Sequence, residues 1–198
     1  MAARELGARH PRLARLIELA HPIERIIPDQ RPLTDLVVRT VVAQLVSTAA
    51  ARTIMERLLA AFGTADGVVA WAMATPGDDP SEHGLSRGKR RTIAAWGRYV
   101  AERGDPREAW QGLDADALIK EITSIKGLGP WSAQMVAIFG FGHPGIWPEG
   151  DVAVVRAAGV VFRRMKPATI RRLIAGYETH VALCCWALID QRRLHEFD

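Results

Sequence analysis

The chain has 198 residues, 48% of them hydrophobic and 24% charged, which is the composition of an ordinary globular protein. No apolar run reaches the roughly 18 residues of a membrane span, and the N-terminus lacks the pattern of a secretion signal, so we expect a cytoplasmic protein. Cys184 and Cys185 are adjacent and too few to form a disulfide framework, which fits a reducing compartment. The net charge of +4, with 22 arginines and 4 lysines, suits a polyanionic partner, although a GC-rich genome also raises arginine content.

Apolar residues recur with helical spacing along most of the chain, and no strand-like alternation continues for more than a few residues. We therefore predict an all-α protein. Glycine, proline and N-capping residues separate the periodic segments. The predicted helices lie near residues 13–19, 33–47, 48–62, 65–74, 89–102, 115–125, 130–139, 151–165, 167–174 and 177–189.

The strongest local signals lie at residues 122–155. A predicted helix ends at Gly127 and Gly129, which permit a tight turn because glycine tolerates positive φ. Pro130 suits the first turn of the next helix, whose first backbone N–H groups have no helical partner and attract an anion such as phosphate. Asp151 follows a Pro/Gly loop and precedes another apolar run. Taken singly, the glycines also fit a plain turn between helices, and Asp151 fits a plain N-cap.

A basic cluster follows a second glycine-containing turn. Arg87, Lys89, Arg90 and Arg91 fall within five positions of one another. The guanidinium group is planar and matches the geometry of phosphate. We expect this cluster to contact the polyanion.

The segment IKGLGPWSA at residues 125–133, followed by PEGD at 148–151, resembles the helix-hairpin-helix and Gly/Pro-loop-Asp signature of the HhH-GPD DNA glycosylases. The resemblance is strongest to their AlkA type, DNA-3-methyladenine glycosylase II. VAQLVS at 42–47 and GLSRGK at 84–89 agree with it, and it extends over residues 33–190.

The resemblance implies a two-lobed helical bundle with a cleft between the lobes, in a single domain. One lobe is expected at about residues 33–115 plus the hairpin at 116–142. The other is expected from residues 1–32 and 143–198. Fuller AlkA relatives carry an additional N-terminal β-rich domain, which we expect this chain to lack.

The resemblance also implies the catalytic group and the base pocket. Asp151 is the expected catalytic carboxylate, because cleavage of an N-glycosidic bond leaves positive charge on the sugar. An alkylated purine is cationic and gains from a tryptophan face, although core packing is the alternative role for each tryptophan. Gln44, on an apolar helix, is either a buried amide or a residue facing the lesion. The expected pocket residues are Trp131, Trp186, Gln44, Met135 and Val152, of which Met135 and Val152 stand where AlkA relatives have tyrosines.

The remaining implied sites bind DNA and a cation. The family position that wedges into the duplex corresponds to Arg87, for which a simple phosphate contact is the alternative. The main-chain carbonyls of Thr123, Ile125 and Leu128 are expected to hold Na⁺ or K⁺. We expect no organic cofactor, and no iron–sulfur cluster because the chain has only two cysteines. The expected DNA contacts are Gly127, Leu128, Gly129, Trp131, Ser132, Arg87, Lys89 and Arg90.

Trp131 occupies the position where bifunctional relatives have a Schiff-base lysine. The implied function is therefore a monofunctional glycosylase of base excision repair, acting as a monomer on duplex DNA that contains alkylated bases such as 3-methyladenine. Two alternatives remain: a glycosylase for another lesion, such as hypoxanthine or an oxidised base, and a non-catalytic helix-hairpin-helix protein that only binds DNA.

Overall fold

The computed structural model describes residues 2–20, 27–74 and 80–197. All regular elements in these ranges are helical and none is a strand, which confirms the predicted all-α class. No helix in the described ranges is both long and apolar enough to cross a membrane. The chain divides into two compact units: a terminal unit of residues 1–27 and 142–198, and a central unit of residues 28–141.

The central unit is built around a helix that packs against four others. Its core includes the fully buried Trp96, whose indole N–H donates to the Thr34 hydroxyl at 3.2 Å, and the buried Trp110. The helices are α3 (Leu33–Ala43, the central one), α4 (Thr48–Phe62), α5 (Ala65–Ala74), α6 (Arg87–Arg103), α7 (Arg107–Gln111), α8 (Ala115–Thr123) and α9 (Pro130–Phe141), with a 3₁₀ turn at Pro80–His83.

Side-chain caps set several helix starts. Ser47, Ser86 and Asp114 each accept the backbone N–H of the residue three positions on, at the starts of α4, α6 and α8. A cap of this kind satisfies one of the N–H groups that a helix start leaves without a partner. The loops that carry the site are therefore fixed by the first turns of the helices that follow them.

The terminal unit joins the two ends of the chain around one apolar core. Leu13, Leu16 and Val154 are among its fully buried side chains. Its helices are α1 (Ala2–Arg9), α2 (Pro11–Ala20), α10 (Val152–Val161), α11 (Pro167–Ile174) and α12 (Glu178–Asp190), with a 3₁₀ turn at Leu194–Phe197.

Arginine side chains link the helices of the terminal unit by donating hydrogen bonds to carbonyls at helix ends. Arg9 donates to the carbonyls of Leu173 and Ala175 at the end of α11, at 3.0 and 2.8 Å. Arg193 donates to the Leu19 carbonyl at the end of α2, at 2.8 Å. The last carbonyls of a helix lack intrahelical donors and carry partial negative charge, so a cation satisfies both needs. Part of the arginine excess is therefore structural.

Arg12 forms a third link of this kind, and its removal is expected to destabilise the protein. It donates to the carbonyls of Val160 and Val161, at 2.8 and 2.5 Å, and lies over the Phe197 ring. Arg12→Ala should lower the free energy of unfolding by about 1.5–3 kcal/mol, the usual worth of a charged hydrogen bond. Arg15→Ala, which breaks an exposed pair with Glu18 on the same helix and a long 3.3 Å hydrogen bond to the Glu196 carbonyl, should cost at most about 1 kcal/mol. Urea unfolding of both variants measures the difference, and equal losses would contradict the capping role.

Candidate active site and nucleic-acid interface

The turn between α8 and α9 is a tight hairpin that requires glycine at one position. Gly127 has φ +93°, a conformation that side chains disfavour. A Cβ atom there would lie 2.0 Å from Thr92 Oγ1 on α6, which is closer than any real contact. Gly129, two residues on, has open space around it. The hairpin therefore lies directly against α6, with Gly127 as the point of closest approach.

The start of α9 presents backbone donors. The Gly129 carbonyl accepts the Ala133 N–H at 3.0 Å, and this bond closes the first turn of the helix. The N–H groups before Ala133 precede the intrahelical ladder, and such groups favour a bound phosphate. Gly129 is exposed, whereas the side chains of Leu128 and Ser132 are buried. Of the predicted DNA contacts, Leu128 and Ser132 can therefore offer only main-chain atoms.

The loop at residues 44–47, here called the tip loop, presents an apolar side chain that the sequence analysis did not assign. Leu45 is fully exposed and has φ +58°, which is rare for a residue other than glycine. Val46 beside it is partly exposed, and Ser47 caps α4. Two adjacent apolar residues just before an N-cap serine are the only sequence signal for this protrusion.

A cavity of about 550 Å³ lies beside the tip loop within the central unit. Three cationic side chains line it, those of Lys89, Arg91 and Lys126. The rest of its lining comes from the tip loop, the start of α6 and the hairpin: Gln44, Leu45, Val46, Ser86, Gly88, Thr92 and Gly127. The hairpin, the tip loop and the cations therefore share one surface.

The predicted basic cluster separates into different environments. Arg87 is exposed at the first position of α6. Lys89 is half-buried and donates to the Val42 carbonyl at 2.9 Å. Arg90 is only 6% exposed, and its guanidinium carbon lies 4.5 Å from the centre of the Trp71 ring. Arg90 is therefore buried against Trp71 and packs between helices, and we assign it a packing role in place of the predicted phosphate contact.

Gln44 is tied to the hairpin. Its side-chain amide donates to Ser132 Oγ at 2.8 Å and to the Gly127 carbonyl at 3.2 Å. Of the two roles left open for Gln44, the structure therefore supports a hydrogen-bonded amide that anchors a loop.

Asp151 is held by two donors in the terminal unit. The carboxylate Oδ1 accepts the Val154 N–H at 2.9 Å, so Asp151 caps α10. The same oxygen accepts the Trp186 indole N–H at 2.9 Å, from a residue 35 positions away on α12. The carboxylate is half-buried. Its position is thus fixed on two sides by groups that donate hydrogen bonds to a negative charge.

Two thiols precede Trp186 on α12. Cys184 and Cys185 are both free and buried. Burial raises the pKa of Cys184 to about 12. Burial, with smaller effects of Cys184 and the charge of Asp151, also raises the pKa of Cys185. Both side chains are therefore protonated core residues.

The other predicted pocket residues fall in both units. Trp131 and Met135 are one turn apart on α9 and share a side of that helix; Trp131 is half-buried and Met135 is buried. Val152, beside Asp151, is 82% exposed. Of the predicted set, Trp186 is the residue that the structure brings to Asp151.

The three carbonyls predicted to hold a monovalent cation lie at the end of α8 and in the hairpin. Thr123 ends α8, where carbonyls lack intrahelical donors. The Ile125 carbonyl accepts the Leu128 N–H at 3.0 Å, which uses one of its two lone pairs. Carbonyl oxygens are natural ligands for Na⁺ and K⁺. No group of three or more His, Cys, Asp or Glu within the described ranges could hold another metal.

Comparison with known proteins identifies related sequences. No family model matches the chain. It is 31% identical over 140 residues to the probable bifunctional transcriptional activator/DNA repair enzyme AlkA of Mycobacterium tuberculosis, covering 67% of this chain and 28% of that protein. It is 27% identical over 127 residues to the putative DNA-3-methyladenine glycosylase YfjP of Bacillus subtilis, covering 60% of this chain and 44% of that protein. The chain thus spans less than half the length of these curated relatives.

Solved structures share the fold over nearly the whole chain. The 3-methyladenine DNA glycosylase Mag1 of Schizosaccharomyces pombe, solved with abasic DNA, superimposes with a TM-score of 0.82 at 19% identity, covering 96% of each chain. The DNA-3-methyladenine glycosidase of Bacillus halodurans superimposes with a TM-score of 0.72 at 24% identity, covering 96% of this chain and 92% of that one.

The helical fold, the hairpin and the capped aspartate together define one class of protein, and the chain belongs to the HhH-GPD superfamily, with the fold of the 3-methyladenine DNA glycosylases. Among its relatives, it is similar to AlkA, which confirms the resemblance drawn from its motifs.

Proposed function

We propose that the protein is a monofunctional DNA glycosylase of base excision repair. It hydrolyses the N-glycosidic bond of alkylated bases, 3-methyladenine and related methylpurines, in duplex DNA and leaves an abasic site. The observation that carries this proposal is the fixed carboxylate of Asp151, which a protein that only binds DNA does not need. The similarity to AlkA and YfjP supports the substrate class.

Asp151 acts on the sugar. Departure of the base leaves positive charge at C1′, and a carboxylate already held in place stabilises that charge without reorganising. The N–H groups of Val154 and Trp186 hold the carboxylate in that orientation. Asp151 also orients the attacking water.

The central unit binds the DNA. Backbone N–H groups at the start of α9 contact phosphates, and the hairpin cation, where bound, adds positive charge to that contact. A base within a duplex is inaccessible, so the enzyme must flip it out. An apolar wedge fills the space the base leaves, and Leu45 has the exposure and chemistry for that task.

Alkylated purines carry positive charge. An indole face stabilises such a base by roughly 0.5–2 kcal/mol, and Trp186, which is hydrogen-bonded to Asp151 in the terminal unit, is the tryptophan proposed for that role. Strand cleavage by β-elimination needs an amine nucleophile, and Trp131 stands at that position. The reaction therefore stops at the abasic site.

Base release from defined oligonucleotides tests the proposal. Duplexes carrying 3-methyladenine, 7-methylguanine, 1-methyladenine, hypoxanthine or an oxidised guanine are incubated with the protein, and abasic sites are revealed by alkaline cleavage. We expect release of the methylpurines, with no strand break before alkali and no covalent complex on borohydride reduction. Release of only hypoxanthine or oxidised guanine would show that the protein acts on that lesion and not on methylpurines. Binding without any release would identify a DNA-binding module.

Substitutions of Leu45 and Arg87 distinguish which of the two is the wedge. The family position indicated Arg87 for this role. Leu45→Ala should slow base release about tenfold or more, because a leucine side chain gains about 1.5–3 kcal/mol on burial between bases. Arg87→Ala should mainly weaken binding at all sequences through the loss of one phosphate contact. Single-turnover rates at saturating enzyme distinguish the two. A slow rate for Arg87→Ala and a normal rate for Leu45→Ala would return the wedge role to Arg87.

A further inference from the structure

The tip loop is a protrusion whose conformation needs support. Leu45 has a left-handed backbone conformation, although neither glycine nor asparagine occupies the position. Its side chain is fully exposed, so packing does not compensate. Locally, the Val46 N–H donates to the Ala43 carbonyl at a long 3.4 Å, and Ser47 caps α4. A residue in such a conformation persists when surrounding contacts fix it, so contacts with other segments add to these local bonds.

One support comes from Lys89. Its Nζ donates to the Val42 carbonyl at 2.9 Å, close to the end of α3. A carbonyl in that last turn lacks an intrahelical donor, and the negative end of the helix dipole favours an ammonium group. The Lys89 side chain is half-buried, and this burial lowers the pKa of its ammonium group. Lys89 thus bonds to Val42, two residues before the loop begins.

The loop is also attached to the hairpin. Gln44 donates to Ser132 Oγ and to the Gly127 carbonyl, and Ser132 is buried. The residue immediately before Leu45 is therefore joined to the segment that presents backbone N–H groups. Lys89 and Gln44 thus connect the loop to α6 and to the hairpin by separate hydrogen bonds.

Two other cations of the same cavity lack this arrangement. Arg91 and Lys126 also line it, and both are exposed. An exposed side chain can reach a phosphate without losing an internal hydrogen bond. Lys89 would have to break its bond to Val42 to do the same.

We propose that Lys89 is a positioning residue, which holds the tip loop through the Val42 carbonyl so that Leu45 is presented to the duplex, and that Arg91 and Lys126 are the cavity cations that contact phosphate. The proposal rests on the function proposed above and identifies the residue that holds the proposed wedge, Leu45, in position. It removes Lys89 from the direct DNA contacts that the sequence predicts.

The salt dependence of binding separates the two roles. The affinity for a duplex with one abasic site is measured over a salt series for the wild type and for Lys89→Met, Arg91→Met and Lys126→Met. Loss of one phosphate contact reduces the slope of log K against log salt concentration by about 0.9. We expect that reduction for Arg91→Met and Lys126→Met and an unchanged slope for Lys89→Met. A slope reduced equally by Lys89→Met would show a phosphate ligand and overturn the proposal.

A double-mutant cycle tests whether Lys89 acts through Leu45. Base flipping is followed by the fluorescence of 2-aminopurine beside the lesion, a readout that does not require base release. Lys89→Met should reduce flipping about tenfold, the effect of one charged hydrogen bond. In the Leu45→Ala background it should have no further effect, whereas additive losses would overturn the proposal. Lys89→Gln repeats the cycle if Lys89→Met unfolds at the assay temperature. If the wild type flips bases without releasing them, the proposed glycosylase function is wrong, but the cycle still measures whether Lys89 acts through Leu45.

Discussion

Asp151→Asn is expected to lower the rate of base release by about 10²–10³-fold, the scale on which one fixed electrostatic contact to a transition state acts. The substitution removes the negative charge that stabilises the sugar cation in the proposed mechanism, but it preserves the shape of the side chain. Asparagine Oδ1 can still accept the N–H groups of Val154 and Trp186, which now hold Asp151. Asparagine is also a favourable N-cap, so the free energy of unfolding should change by about 1 kcal/mol or less.

Single-turnover release of 3-methyladenine, together with binding to an abasic duplex, measures this effect. Glu149→Gln is the matched control, because Glu149 is an exposed carboxylate two residues earlier in the same loop. We expect its release rate to stay close to that of the wild type. Retained binding with lost release would assign the charge of Asp151 to the chemical step. Normal release by Asp151→Asn would remove this carboxylate from catalysis.

Gly127→Ala is expected to disrupt the hairpin. The added Cβ would meet Thr92 Oγ1 at 2.0 Å, and φ +93° is unfavourable for alanine. Overpacking and backbone strain together should cost about 2–4 kcal/mol of stability. The hairpin can move away from α6 to relieve the contact, and this movement would misplace the N–H groups of α9. Affinity for abasic DNA should therefore fall together with stability.

Gly129→Ala is the matched control, two residues along the same turn. Nothing lies within 4 Å of its added Cβ, so stability should change little. Thr92→Ala removes the nearest clashing atom and should restore part of the stability of Gly127→Ala. Thermal unfolding of Gly127→Ala, Thr92→Ala and the double variant gives the coupling energy between the two positions. Equal losses for Gly127→Ala and Gly129→Ala would contradict the packing of the hairpin against α6.

The parts of the fold that depend on near neighbours could be predicted from the sequence. The hairpin turn follows from two glycines and a proline within four residues, and the cap at Asp151 involves an N–H only three residues away. The bond between Trp186 and Asp151 depends instead on how α12 packs against α10, which no local pattern describes. Resemblance to a family named both residues, but only the structure gives the contact between them.

In the basic cluster, closeness in sequence gave a wrong expectation. Proximity in sequence suggested a common role for Arg87, Lys89 and Arg90, but a helix turns successive residues to different sides. The helical period contained the signal for Arg90, since it shares one buried face of α6 with Ile93, Ala94 and Gly97. Leu45 gave no comparable signal, because a left-handed leucine at a loop tip is determined by contacts from other segments.

Cys184 and Cys185, the two buried thiols on α12, bear on how the protein reacts with methylating agents. Methylating agents react with thiolates rather than thiols, and solvent must reach the sulfur for the reaction to occur. A pKa of about 12 at Cys184 leaves almost no thiolate at neutral pH, and Cys185 is buried beside it. These agents therefore find no reactive thiol on α12. For the glycosylase proposed above, this burial protects both cysteines from the same electrophiles that methylate DNA.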